Sequence, residues 1–198
     1  MIQQESPMPE ETPLLPQESL ALIAETIRKT KENFRENSRF FLLWGWLIAA
    51  ASLGFFLLRQ YTETRFFFLP FPVLVAVGIV TTVLWYRQLK AKAPSETYLG
   101  YFFNRLWMVL ALSFILVVYI SVSRGWPPFL YTLIVAAIGT TVSGLAMKFR
   151  PLVWGGMLFF AAAVAGVYIS DSYLPLLTGG AMVGGYLIPG YLLKTAHE

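Results

Sequence analysis

Six apolar runs without a charged residue, each 18 to 23 residues long, leave this chain one solvent, and it is lipid. They are Phe40 to Leu58, Phe66 to Tyr86, Leu106 to Ser123, Gly125 to Met147, Pro151 to Ser170 and Ser172 to Leu193. A helix rising 1.5 Å per residue needs roughly 20 residues to cross a hydrocarbon core of roughly 30 Å, and every run is close to that length. The expected fold is an all-α integral membrane protein, a bundle of six transmembrane helices over residues 40–193. Residues 17–39 are expected to form an amphipathic cytoplasmic helix, with 1–16 a disordered tail and 194–198 a short cytoplasmic one.

Charge sits almost wholly between the runs: only 13% of residues are charged, while 57% are apolar. Arg28, Lys29, Lys31, Arg35, Arg39, Arg87, Lys90, Lys92, Arg105, Lys148, Arg150 and Lys194 fall on one side of the expected topology, and only Arg59, Arg65 and Arg124 fall on the other. Basic residues near membrane spans stay in the cytoplasm, so both termini are expected there. The tryptophans follow the same division. Trp44, Trp46, Trp85, Trp107 and Trp154 lie at the expected cytoplasmic ends and Trp126 at the outer one, as interfacial anchors do. A net charge of +4 therefore reflects topology rather than a nucleic-acid partner. Four glutamates and four prolines in the first 18 residues do not resemble a signal peptide, so the first span is expected to serve as its own insertion signal.

The chain has no cysteine, and its one histidine is His197. Disulfides, thiolate metal sites and a buried imidazole base are excluded by composition. Intramembrane ionisable residues mark ion paths and catalytic sites, and the six runs hold no Asp, Glu, Lys, Arg or His. Ser113, Thr140, Thr141 and Ser143 lie at depth with no adjacent base, and are expected to hydrogen-bond between helices. No cofactor, no metal and no enzymatic activity are expected.

Three groups of residues are candidates for function. Leu20, Ile23, Ala24, Ile27 and Phe34 share one face of the helix over 17–39, with Lys31 inside the stripe. That face suits the membrane surface, the bundle's own cytoplasmic ends or a partner helix. At the cytoplasmic rim, Tyr98, Asn104 and Arg105, with Glu96 beside them, form a candidate anion or lipid-headgroup site, against the simpler reading of a snorkelling arginine. In the sixth run Gly180 and Gly184, and likewise Ala181 and Gly185, are four residues apart. Their shared face lets another backbone approach, within the bundle or across a homodimer seam. Pro189 interrupts the hydrogen-bond ladder of the same run, which also admits a helix that lines a cavity.

The even runs each open after proline, at Pro70 and Pro72, Pro127 and Pro128, and Pro175. Ile79-Val80-Thr81-Thr82-Val83 echoes Ile138-Gly139-Thr140-Thr141-Val142, so three α-hairpin repeats are a candidate architecture, although proline suits the first turn of any entering helix.

Several stretches together prompt a family comparison: Glu18-Ser19-Leu20, Lys29-Thr30-Lys31-Glu32-Asn33, Glu36 through Trp46, Tyr98-Leu99-Gly100, Lys148-Phe149-Arg150-Pro151-Leu152 and Ile188 through Lys194. The chain resembles a group of small, uncharacterised bacterial multi-pass membrane proteins. The resemblance implies the bacterial inner membrane and carries no activity and no functional residue.

The favoured function is a non-enzymatic regulatory, scaffolding or partner-binding membrane protein. Its expected partners are the lipid bilayer and a second copy or another membrane or cytosolic protein. The alternative is a small transporter or channel for an uncharged or apolar solute. A lipid-modifying enzyme at the rim is the weakest reading, because Arg105 and Glu96 supply neither nucleophile nor metal site.

Overall fold

The computed structural model describes residues 16–62, 66–92 and 98–195. Its elements are helices α1 (Pro16–Tyr61), α2 (Pro70–Lys92), α3 (Tyr98–Ser123), α4 (Phe129–Ala146), α5 (Arg150–Gly166) and α6 (Leu174–Met182), a π-helical turn at Val183–Leu187, and α7 (Ile188–Thr195). Five segments are long and apolar enough to cross a membrane: Ser38–Tyr61, Pro70–Gln88, Leu99–Ser123, Phe129–Ala146 and Leu174–Thr195. The helix at the fifth of the six expected spans, Arg150–Gly166, is shorter, at 17 residues.

Two helices start well ahead of their apolar runs. The stretch from Pro16 to Tyr61 is one unbroken helix of 46 residues, which continues the helix expected over 17–39 into the first span. No proline or glycine occurs between Gln17 and Trp44, so the chain carries none of the residues that usually kink a helix. The third helix begins at Tyr98 rather than Leu106, which brings Asn104 and Arg105 inside it.

Side-chain contacts show the helical segments running alternately between two ends of the bundle. At the basic end, Phe40 meets Trp85 and Phe41 meets Trp107, with ring centroids 5.7 and 6.0 Å apart. There too, the Trp46 indole N–H donates to the Tyr191 hydroxyl at 3.3 Å. At the opposite end Phe55, Phe67, Phe71 and Phe129 form an aromatic cluster with centroids 5.3 to 5.7 Å apart. Edge-to-face geometry predominates, as the ring quadrupole favours.

Two turns of the same type reverse the chain at opposite ends. After α3, Trp126 N–H bonds to Ser121 C=O and Gly125 N–H to Val122 C=O, with Gly125 at φ +72°. After α4, Phe149 N–H bonds to Gly144 C=O and Lys148 N–H to Leu145 C=O, with Lys148 at φ 54°. Both are Schellman closures, and the second places a lysine in the left-handed position that glycine usually fills.

Packing is uneven. Half of the Phe129–Ala146 and Leu174–Thr195 windows is buried inside the bundle, against 6% for α2 and 11% for α3. The central unit is α1, α4, α5 and the broken last helix, with α2 leaning on α1 and α3 on α4. The α4–α5 contact is the most extensive in the fold, and glycines set its spacing. A Cβ at Gly144 would lie 2.6 Å from the Val153 backbone nitrogen, and one at Gly156 would run into the backbone of Thr141. Gly180 differs: nothing lies within 4 Å of where its Cβ would be.

These positions predict stability changes of opposite sign for the same substitution. Gly180→Ala should raise stability by up to about 1 kcal/mol, the helix-propensity difference. Gly156→Ala should lower it by about 1 to 3 kcal/mol, because backbone rather than a pliable side chain must yield. Thermal unfolding of both variants in one detergent checks the pair.

Candidate functional site

The broken last helix supplies the geometry most unlike an ordinary bundle, and its cause lies in two residues. Proline has no N–H, so Pro189 cannot bond to the carbonyl four residues earlier, that of Gly185, and its ring crowds that carbonyl. The helix widens there. Ile188 N–H bonds to Val183 C=O, five residues back, within the turn Val183–Leu187. The Gly185 carbonyl faces Gly155 of α5, where a Cβ would collide with the oxygen. Gly155 thus lets α5 close over that carbonyl.

One turn of this segment carries Tyr186 into the interior, where it is only 4% exposed. Its ring packs on Phe159 and Phe41, with centroids 4.9 and 5.5 Å away. Thr140 of α4 lies beside it, its own hydroxyl donating to Ala136 C=O at 2.6 Å.

None of the hydroxyls expected to join helices, Ser113, Thr140, Thr141 and Ser143, makes a hydrogen bond to another helix among the described residues. Ser113 donates to Val109 C=O of its own helix at 3.0 Å, and Thr81 to Val77 C=O at 2.8 Å. Bonding to the carbonyl four residues back satisfies the donor locally. Ser52, Thr82, Thr141 and Ser143 hold buried hydroxyl oxygens with no hydrogen-bond partner among the described residues. At Ser52 it is size that matters, because a Cβ at Gly179 would be 3.2 Å from the serine Cβ.

Of the four residues of the candidate rim site, the two whose side chains are described, Asn104 and Arg105, turn apart. Asn104 turns to α2 and donates from Nδ2 to the Tyr86 hydroxyl at 3.3 Å. Arg105, one residue and about 100° further round the helix, is exposed and holds its guanidinium 5.1 Å from the Tyr101 ring centroid. Tyr98 opens α3, its side chain lying outside the described residues, as does Glu96.

The glycine face divides between two environments. Ala181 and Gly185 are buried, and a Cβ at Gly185 would press on the Phe159 ring. Gly184 stands against the Leu158 side chain, while Gly180 is open. The stripe of Leu20, Ile23, Ile27 and Phe34 lies on helical backbone, with its side chains outside the described residues.

Sequence reasoning found the proline and missed its complement. Gly185 could be named in advance by counting four back from Pro189, but Gly155 on another helix could not. A second omission is Arg39. It lies 5.7 Å from the Trp85 ring centroid and lines a groove of about 350 Å³ with Leu42, Leu43, Trp46, Leu47 and Trp85. Arginine and tryptophan at the basic ends of consecutive antiparallel spans were the available signal.

Among the described residues, no three His, Cys, Asp or Glu side chains come together. No protein-family model, curated protein or solved structure matches the chain.

The ring packing of Tyr186 gives an asymmetric prediction. Tyr186→Phe keeps the ring on Phe159 and Phe41 and should cost less than about 1 kcal/mol, whereas Tyr186→Ala empties that site and should cost about 3 to 5 kcal/mol. Denaturant unfolding in micelles checks the order, and equal losses from the two variants would contradict it.

Proposed function

We propose that this chain is a non-enzymatic scaffolding or partner-binding membrane protein that presents the face of Leu20, Ile23, Ile27 and Phe34 to another protein. The continuity of α1 is the observation that carries this reading. A helix lying in the membrane surface must bend sharply to enter a spanning segment, and Pro16–Tyr61 continues without a break. The 22 residues ahead of Ser38 would then stand about 33 Å beyond the membrane-embedded part at 1.5 Å per residue. An apolar stripe so far from lipid needs a protein surface to cover it.

In this reading the chain crosses the bacterial inner membrane six times, as three hairpins of unequal packing, with both termini in the cytoplasm. The alternation of helices between two ends supports an even number of crossings, and α5 crosses with help from its flanks. The distribution of basic residues supports the orientation. The transporter reading draws less support, since the Gly185 carbonyl beside the proline break is met by Gly155 of α5.

Two measurements test this. Reporter fusions after Lys92, Arg150 and Glu198 should read cytoplasmic, and those at Glu63, Gly125 and Asp171 external. Photo-crosslinkers at Ile23 and Ile27 should trap a defined protein adduct in intact cells, either a second copy or one other species. Ile23→Glu should abolish the Ile27 adduct, whereas Lys29→Gln should leave it. Crosslinks to lipid alone would return the stripe to the membrane surface.

A further inference from the structure

The groove between α1 and α2 combines a cation, two indoles and an apolar floor in an order that matches one class of ligand. Arg39, Leu42, Leu43, Trp46 and Leu47 are spaced i, i+3, i+4, i+7 and i+8, so they form one strip down α1. Eight residues of helix put Leu47 about 12 Å below Arg39 along the axis. Trp85 closes the opposite side from α2. The strip therefore begins at the basic rim and descends into apolar depth, with its formal charge at the top.

Each part of the rim is held by a neighbour. The Arg39 guanidinium lies against Trp85, which is buttressed edge-on by Phe40 at 5.7 Å. Cation–π contact engages the guanidinium face and leaves its edge N–H groups able to donate. No carboxylate pairs with Arg39 among the described residues. On the other flank, Trp46 is tied to Tyr191 of α7 through its indole N–H.

We propose that this groove binds one anionic phospholipid, with its phosphate on the edge of Arg39 and one acyl chain along Leu42, Leu43 and Leu47 between the indoles of Trp46 and Trp85. Charge complementarity selects the headgroup, and the length of the apolar strip selects a chain rather than a soluble anion. A neutral lipid would leave the fork of Arg39 unused. Arg105 provides an internal comparison: it too rests on an aromatic ring, Tyr101, and is not among the residues that line this groove.

Brominated-chain phosphatidylglycerol and phosphatidylcholine, titrated into the full-length protein in detergent, give the test through quenching of tryptophan fluorescence. Wild type should prefer phosphatidylglycerol by about five-fold, the worth of one basic residue near an anionic lipid. Arg39→Gln should reduce that preference to near unity, while Arg39→Lys keeps part of it and Arg105→Gln keeps all of it. The glycerol-specific quenching should fall in Trp46→Phe and Trp85→Phe and persist in Trp154→Phe. Equal quenching by the two lipids in wild type would overturn the proposal even if no variant folds. So would a preference that survives Arg39→Gln, or that Arg105→Gln lowers as much. Displacement of the brominated lipid by inorganic phosphate alone would reduce the site to an anion contact and overturn the acyl-chain assignment.

Discussion

A proline that withholds a backbone donor from the last helix, and so can strand a carbonyl, is the constraint around which the interior is arranged. In hydrocarbon no water satisfies such a group, so a proline inside a spanning helix has to be accommodated by its surroundings. Here the local solution is a π-helical turn at Val183–Leu187, and the non-local one is Gly155 of α5. Both are required, because the turn relieves the ring against Gly185 and the missing side chain on α5 admits the oxygen. Widening the helix also shifts the angular register of α7 relative to α6. Tyr186, inside the turn, is directed among α1, α4 and α5, where Phe41, Phe159 and Thr140 receive it.

Helices in lipid gain nothing from hiding apolar surface from one another, since the surrounding chains are equally apolar. Close fit has to take the place of the hydrophobic effect. The α4–α5 pair achieves it through glycine, at Gly144 against Val153 and at Gly156 against Thr141. Contacts made by α1 rely on rings at both ends and on small residues between, with Gly45 beside Tyr186 and Leu187, and Ser52 beside Gly179. By contrast, α2 and α3 keep almost all of their surface outward, and their aliphatic side chains, such as Val77, Val80, Leu112 and Ile115, are the exposed ones. Peripheral helices of this kind define grooves against the central ones. The α1–α2 groove at Arg39 is the instance with a charge at its mouth.

Helix positions were legible in the sequence because charge exclusion acts on every residue of a span, whereas the pairing of helices depends on single side chains. The runs around Phe40 to Leu58 and Gly125 to Met147 needed no knowledge of neighbours. Which glycine meets which helix did. Gly180 and Gly184 are equivalent by spacing, yet Gly184 touches Leu158 and Gly180 touches nothing, because the π turn that begins at Val183 changes the angle between successive residues. Two members of the candidate rim cluster, Asn104 and Arg105, turn apart for a related reason. Asn104 and Arg105 are adjacent, and adjacency on a helix separates two side chains by about 100°. The basic end itself was legible from composition, but its pairing of Arg39 with Trp85 required knowing that α2 lies against α1.

The unbroken first helix joins the outermost part of the chain to its centre. A helix transmits displacement along its axis far better than a flexible linker, so whatever engages the stripe near Ile23 and Ile27 acts on the segment that carries Gly45 and Ser52. Those residues contact Tyr186, Leu187 and Gly179, on either side of the π turn. Small residues at the contact allow one helix to slide past the other with little steric cost, and a widened turn has an alternative hydrogen-bond register close at hand. The same helix carries Arg39 at the level where stripe and span meet. A lipid in that groove would therefore bear on α1 between the stripe proposed to face a partner and the packed core.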